Sequence, residues 1–264
     1  MRALRSAPWL LLAAAGLACG GASKSDPGPD AGAVDLRPCP TSGAGAVVGG
    51  GTCNVFSPVS AGASSLGQNA ARLNYALQPS VSPSGLLVLL LNGSGGSPGQ
   101  MAVDARQNVL VAAAEAGNHV LAVAYRSDLA VAQLCGTRPD CYGATRATLI
   151  RGAFQPGADA SLGDIREDEG IISRLDQALR ALDASRPGAG WGAFRSNPAA
   201  SAAADRISWT RIVAAGHSQG GGHAAYLAKQ YPVSRVVQFA STCDAPAGVP
   251  APWTAADSGW VTSP

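Results

Sequence analysis

Ser218 is the residue from which a chemistry can be read. It stands in Gly216-His217-Ser218-Gln219-Gly220, with the apolar run Ile212-Val213-Ala214-Ala215 before it and a helix-compatible stretch after it. A serine hydroxyl attacks a carbonyl carbon only if it is lifted clear of its surroundings. A very tight strand-to-helix turn does this, and it needs glycine on either side because a Cβ there would collide with the strand or the helix. The same turn aims the first N–H groups of the helix, Gln219 among them, at the place where negative charge develops during acyl transfer. The competing reading is a Gly-rich turn without chemistry, and with 33 glycines in the chain the spacing also arises by chance. The strand-like run before it and the helix-like run after it favour the first reading.

Few side chains are available to act with Ser218. The histidines are His119, His217 and His223. A general base must bring Nε2 within hydrogen-bond reach of the serine oxygen. His119 opens an apolar run far ahead of the serine. His217 sits inside the turn, where its side chain is expected to diverge from that of Ser218, and His223 lies in the following helix. None of the three suits the role. Metal chemistry has no support either: there is no Cys-x-x-Cys and no His-Glu-x-x-His, so no metal is expected.

Composition bounds the rest. The 264 residues are 47% hydrophobic and 14% charged, with a formal charge of +2, enough to bury a core and not a composition that stays unfolded. The first eighteen residues carry Arg2 and Arg5 and no acid; without them the charge balance is even, which gives no reason to expect nucleic acid as a partner. Lys24 and Lys229 are the two lysines, and neither stands in a Gly-Lys-Ser/Thr phosphate loop.

The amino terminus reads as an export signal over residues 1–18: Arg2 and Arg5 ahead of an apolar stretch, Trp9 to Leu17, too short to span a bilayer. Ala15-Gly16-Leu17-Ala18-Cys19-Gly20 resembles a bacterial lipobox, with Gly16 where a large apolar residue is usual. That resemblance implies a lipidated Cys19, a membrane contact through the lipid anchor, and residence in the cell envelope; the alternative is ordinary cleavage and a secreted product. Export implies an oxidising compartment in which cysteines pair. Cys39 with Cys53 and Cys135 with Cys141 each bracket a turn-rich loop that a local disulfide would staple, leaving Cys243 over. Residues 19–45, rich in Gly, Ala, Ser, Asp and Pro, read as a flexible tether or an idle disordered end, and residues 46–264 as the folded domain.

The elements that must position Ser218 follow in order. Short apolar pieces between Ala46 and Tyr75 suit the first antiparallel strands of a mixed sheet. Leu86 to Leu91 is a continuous apolar run of the kind buried on both faces, and it ends in Asn92-Gly93-Ser94-Gly95-Gly96. Ser97, Pro98 and Gln100 then start a helix in which Met101, Ala105, Val109 and Ala113 share one face, stopped at Gly117-Asn118. His119 to Tyr125 is the next buried strand. A dinucleotide site in the Gly-rich loop is excluded because Pro98 occupies the third glycine position. Residues 126–163 read as a long turn-rich excursion. Asp164 caps a helix carrying Ile172, Leu175, Leu179 and Leu182, and Trp191 and Phe194 pack from a loop. Strand, Ser218, helix and a last strand, Arg235 to Ala240, complete the order, with no clear element after Ser241.

Strand, Gly-rich loop, helix, strand, helix, strand, Gly-His-Ser-Gln-Gly, helix, strand: this succession over about Leu86 to Asp244 resembles the α/β-hydrolase superfamily, its serine esterases and lipases in particular. The resemblance implies an α/β fold with a mostly parallel sheet and helices on both faces. It implies hydrolysis of a small-molecule or lipid ester through an acyl-enzyme on Ser218, without a cofactor. It places oxyanion donors at the backbone N–H of Gly93 or Ser94 and of Gln219; the plain alternative for 92–96 is a turn. It also implies an acid, then a histidine, after the serine. Asp244 is the candidate acid, or else a loop carboxylate. No histidine follows His223, and Pro264 lies 46 residues past Ser218. We therefore expect a domain incomplete at its carboxy-terminal end, its base histidine missing and its turnover weak or nil. The rival expectations are a non-catalytic exported lipoprotein on the same scaffold, which binds a ligand, and a peptidase or thioesterase.

Overall fold

The computed structural model describes residues 33–43, 46–63, 72–101, 108–255 and 259–261. The expected signal segment, Cys19 and the first part of the expected tether lie outside the described residues.

The centre of the fold is Leu87–Leu91 (β4), whose five residues are all buried. Leu87, Leu89 and Leu91 point to one side of the sheet, and Val88 and Leu90 to the other. That is why the run is continuous rather than alternating: both faces are covered. The other strands are Arg37–Pro38 (β1), Gly51–Phe56 (β2), Asn74–Pro79 (β3), His119–Ala122 (β5), Ile212–His217 (β6) and Arg235–Phe239 (β7). They form one seven-stranded sheet in the order β1-β2-β3-β5-β4-β6-β7. β4 pairs in parallel with β5 and β6, and β6 with β7. β1, β2, β3 and β5 pair antiparallel in succession. The sheet is α/β in class but mixed: the expected mostly parallel arrangement holds only for the half that carries Ser218. Antiparallel neighbours such as β1, β2 and β3 need no crossover helix between them.

Helices cover both faces. Pro98–Met101 (α1) and Val109–Glu115 (α2) follow β4, and Leu110 and Ala114 of α2 pack on Leu77, Val88, Leu90 and Val120. The Asn108 side chain caps α2, accepting from the N–H groups of Leu110 and Val111. The expected start at Ser97 is seen in the Ser97 N–H donating to Gln100 Oε1 at 2.7 Å. Residues 102–107, which include Ala105 of the expected apolar face, lie outside the described residues.

The opposite face carries Val131–Cys135 (α3), Pro139–Arg151 (α4), Ile171–Ser185 (α5) and Gln219–Gln230 (α6). Leu149, Leu175, Leu179 and Leu227 join Leu87, Leu89 and Leu121 in the larger core. Two expectations are corrected here. Residues 126–163 contain α3 and α4 rather than loop alone. The helix after them begins at Ile171 behind Gly170, not at Asp164, which instead pairs with Arg126 at 3.0 Å on the surface.

The expected tether also ends too late. Val34 is buried in the larger core, Arg37–Pro38 pairs with Val55 and Asn54, and Cys39 is bonded to Cys53. Residues 34–43 thus belong to the body. The second disulfide joins Cys135 to Cys141, and both pairs have Cα atoms 5.4 Å apart. Trp191 and Phe194 are buried, as expected, packed edge-on against the His119 ring. At the far edge, β7 leaves Val237 and Phe239 about one-third exposed, at 37% and 36%.

Candidate active site

β6 runs straight into α6 through Ser218, whose backbone sits at φ 53°, ψ −120°. For a residue with a Cβ this is strained geometry, costing on the order of 1–3 kcal/mol, and it persists only where the surroundings enforce it. Here glycine makes the enforcement possible. A Cβ on Gly216 would lie 2.6 Å from the nitrogen of Gly221, and one on Gly220 would lie 2.6 Å from the carbonyl oxygen of Asn92. The turn is pinned from below by the Ser218 N–H, which donates to the Phe239 carbonyl at 2.9 Å. Ser218 is exposed, and its hydroxyl has no hydrogen-bond partner among the described residues.

The loop 92–96 lies beside the serine. A Cβ on Gly93 would stand 3.3 Å from Ser218 Cβ and 3.2 Å from His217 Nδ1, so glycine lets the loop approach this closely without displacing either side chain. A polar network sets the loop's shape. Asn92 Nδ2 donates to the Gly93 carbonyl at 2.8 Å and to Ser127 Oγ at 3.0 Å, and Tyr125 donates to the Asn92 carbonyl at 2.6 Å. Arg72 reaches Ser127 Oγ and the Gly95 carbonyl. Burial pushes the Tyr125 phenol well above its ordinary pKa, so it stays a donor. No acceptor among the described residues takes the N–H of Gly93, Ser94 or Gln219. The donors expected from the sequence, Gly93 or Ser94 together with Gln219, are among them, and all three residues line the clefts that Ser218 lines.

Gln219 ties the parts together. Its Oε1 accepts from Ser94 Oγ at 2.9 Å and from the N–H of Val131, the first residue of α3, also at 2.9 Å. One amide side chain therefore holds the loop after β4, the start of α3 and the start of α6 in register.

Asp244 is 5% exposed and lies in the loop after β7. Arg146, from α4, donates to it twice: Nε to Oδ2 at 2.6 Å and Nη2 to Oδ1 at 2.7 Å. Trp253 Nε1 adds a bond to Oδ2 at 2.9 Å. Arg146 Nη1 donates to the Gln219 carbonyl at 3.1 Å, and the guanidinium lies 5.6 Å from the Trp253 ring centre. In this arrangement Asp244 anchors its loop to α4 and, through Arg146, to α6; among the described residues it orients no histidine. Arg146 and Trp253 were not legible as site residues, because nothing local marks a residue that acts through a contact 98 positions away.

The histidines stand as follows. His217 is exposed and lines the same cleft as Ser218. His223 is wholly buried in α6, with Nδ1 3.5 Å from Arg146 Nη1 and its ring edge-on to Tyr125. Burial first, and then the neighbouring Arg146 charge, hold His223 well below the usual imidazole pKa, so it is neutral. His119 is at the opposite end of the strands, bonded through Nε2 to the Ala189 carbonyl at 2.8 Å, and burial lowers its pKa too. None of the three is hydrogen-bonded to Ser218 or Asp244 among the described residues. Cys243 carries a free, exposed thiol beside Asp244. No group of three or more His, Cys, Asp or Glu placed to hold a metal occurs among the described residues. No helix among them is long and apolar enough to cross a membrane.

No protein-family model matches the chain, and no curated protein does. Among solved structures, Thermogutta terrifontis esterase 2 phosphoramylated by tabun matches with 16% identity over 58% of this chain and 40% of that chain, at a TM-score of 0.27. A likeness that weak carries no weight for fold or function, and the match spans well under two thirds of the esterase. The chemistry of the site rests on its own geometry.

Proposed function

We propose that Ser218 is the nucleophile of a serine hydrolase acting on carboxylic esters. The observation that carries this reading is the Ser218 backbone at φ 53°, ψ −120°, held between β6 and α6 with the N–H groups of Gly93, Ser94 and Gln219 unspent around it. The serine oxygen attacks the acyl carbon, and the developing oxyanion takes the N–H donors. The alcohol then leaves with a proton, and water later releases the acyl group. Asp244 was a candidate acid; with both its oxygens on Arg146 it supports the site by holding α4 against α6. Because no histidine bonds Ser218, its proton passes to solvent and turnover is slow. A fluorophosphonate probe tests the reading: it should add covalently to the wild-type chain and not to Ser218→Ala. An unlabelled, correctly folded wild-type chain would end it.

A second reading, a ligand-binding scaffold without turnover, is favoured by that same absence of a hydrogen-bonded histidine. Labelling of Ser218 without hydrolysis of any ester, thioester or peptide in a panel would select it.

We further propose that the protein is exported and held at the membrane by lipid on Cys19. The arrangement of residues 1–19 supports this, as does the pairing of Cys39 with Cys53 and of Cys135 with Cys141, which suits an oxidising compartment. Radiolabelled palmitate should enter the wild-type chain and not Cys19→Ala; equal incorporation, or none, overturns it.

A further inference from the structure

Asp176, on α5, has a side chain only 1% exposed, and three arginines converge on it. Arg206 Nε donates to Oδ2 at 2.9 Å and Arg195 Nε donates to Oδ1 at 3.4 Å. Arg180 Nε stands 3.8 Å from Oδ2. We propose that Arg180, Arg195 and Arg206 form a binding site for a phosphate oxyanion, remote from Ser218 and independent of any reaction there.

Charge is the first argument. A guanidinium is charged throughout the physiological range. Three of them meet one carboxylate, so two positive charges are left over in one cluster. No other acid settles the difference among the described residues. Asp183, the other acid of α5, accepts the Gly192 N–H at 3.1 Å, and Asp205, beside Arg206 in the chain, forms no ion pair. Like charges gathered around one carboxylate repel, and an added anion relieves them.

The unspent donors are the second argument. Arg206 Nη1 is engaged by the Ala200 and Ser201 carbonyls at 2.7 and 2.8 Å. The two terminal nitrogens of Arg180 and the two of Arg195 have no acceptor among the described residues, yet none of the four is sealed from water. Arg180 Nε is sealed from water and has no hydrogen bond either. The side chains of Arg180, Arg195 and Arg206 are 28%, 13% and 20% exposed above a covered carboxylate. A ligand arriving from solvent therefore meets the donors and not the acid.

The frame around these donors is fixed. Asp176 and Arg180 lie one turn apart on α5. Arg195 and Arg206 come from a loop closed by the Ser196 N–H on the Arg206 carbonyl at 3.0 Å and the Ser208 N–H on the Phe194 carbonyl at 2.9 Å. Phe194 in turn packs on His119, at the end of the strands away from Ser218. A site held in shape before its ligand arrives loses little in ordering.

The ligand class follows from two excess charges and two free forks. A phosphate group carries about −1.5 to −2 charge at pH 7 and three strong acceptor oxygens. The planar guanidinium fork matches such oxygens two at a time. The phosphate is either the free ion or the headgroup of a phospholipid. The second source fits the proposed lipid anchor at Cys19, because Val34, early in the described chain, bonds through its N–H to Ser185 Oγ at the end of the same helix.

The test is calorimetric titration of the full chain with inorganic phosphate, with sodium chloride adjusted to hold ionic strength constant. Binding should saturate, and phosphate should raise the melting temperature above that in chloride of equal ionic strength. Arg180→Gln and Arg195→Gln should each weaken binding at least about tenfold, the scale of one charge-assisted hydrogen bond. Arg180→Gln should keep its melting temperature in chloride, since its ion pair is long and partly exposed. Arg166→Gln, which breaks an exposed pair with Asp168, should bind phosphate as the wild type does. Glycerophosphoglycerol, the soluble phosphodiester headgroup of phosphatidylglycerol, separates the two sources. Binding no weaker than that of phosphate assigns the site to a headgroup, and weaker binding assigns it to the free ion. Absence of saturable binding of either compound, or binding that Arg180→Gln and Arg195→Gln both retain, overturns the proposal.

Discussion

Arg146 and Asp244 meet in a two-bond, side-by-side ion pair, at 2.6 Å and 2.7 Å, with both side chains almost fully buried. Removing one partner of such a pair leaves the other charged and dry, which costs about 3–5 kcal/mol. Arg146→Met should therefore lower stability by about that amount in urea unfolding. Replacing both, as Arg146→Met with Asp244→Leu, should recover much of the loss, because two apolar groups leave no buried charge. A double variant no more stable than Arg146→Met would contradict this account.

The elbow glycines make a second case. A Cβ on Gly220 would fall 2.6 Å from the Asn92 carbonyl oxygen, against backbone that cannot swing away. Gly220→Ala should cost about 1–3 kcal/mol, as overpacking does. It should also slow Ser218 labelling, since the displaced turn carries the serine. Gly188→Ala provides the contrast: at φ 83° it is strained, but nothing lies within 4 Å, so stability should fall without loss of labelling.

Stability should fall in mild acid. His223 is buried beside Arg146 and its pKa is lowered, and His119 shifts the same way through burial. An unfolded histidine takes a proton near pH 6.5, whereas the folded one does not until well below that. Below about pH 6.5 the unfolded state binds more protons, so stability is fully present above that pH and is lost as the pH falls towards the folded value. Each histidine adds a slope of at most about 1.4 kcal/mol per pH unit. Unfolding free energies at pH 7.5 and 5.5 measure it, and His223→Gln should flatten the dependence. An unchanged slope in that variant would remove His223 from the explanation.

Cys243 lines a hollow together with Ser218, and its thiol is exposed. Alkylation with N-ethylmaleimide should block fluorophosphonate labelling of Ser218 at least about tenfold, by occupying space next to the nucleophile. Cys243→Ser should label normally before and after the reagent. Persistent labelling of the alkylated wild type would place the thiol away from the approach to the serine.

The parts of the fold legible in sequence are those with a local signal. β4, β6 and β7 show as apolar runs, and the turn at Ser218 shows as glycine spacing: a Cβ on Gly216 is forbidden by Gly220 and Gly221 close by, and one on Gly220 by the Leu91 and Asn92 backbone far along the chain. α4 was hidden for the opposite reason. Thr145, Arg146 and Thr148 are buried where an amphipathic pattern would put apolar residues; Thr148 is satisfied one turn back by the Ala144 carbonyl, but Arg146 only by Asp244 and the Gln219 carbonyl, far along the chain. Its ends did carry a signal: Pro139 in the first turn, Asp140 beside it, Arg151 in the last turn and Gly152 as the cap. β1 is two residues long, too short for any period, and it is fixed by its partners Val55 and Asn54. The antiparallel strands between Ala46 and Tyr75 were legible as short apolar pieces, but the antiparallel pairing of β3 with β5 rests on a contact that neither strand records.

Ser94 and Gln219 are hydrogen-bonded across 125 positions of chain. Closing so long a loop costs entropy that nearby pairings do not, so contacts of this kind form late in folding. We expect β5 and the helices α3, α4 and α5, which lie between β4 and β6 in the chain, to be in place before β6 settles against β4. On the proposed reading of Ser218, a growing or half-folded chain carries a serine with ordinary alcohol reactivity, which rises only when the sheet closes around it. Refolding followed by both far-UV circular dichroism and Ser218 labelling should show the second signal lagging the first.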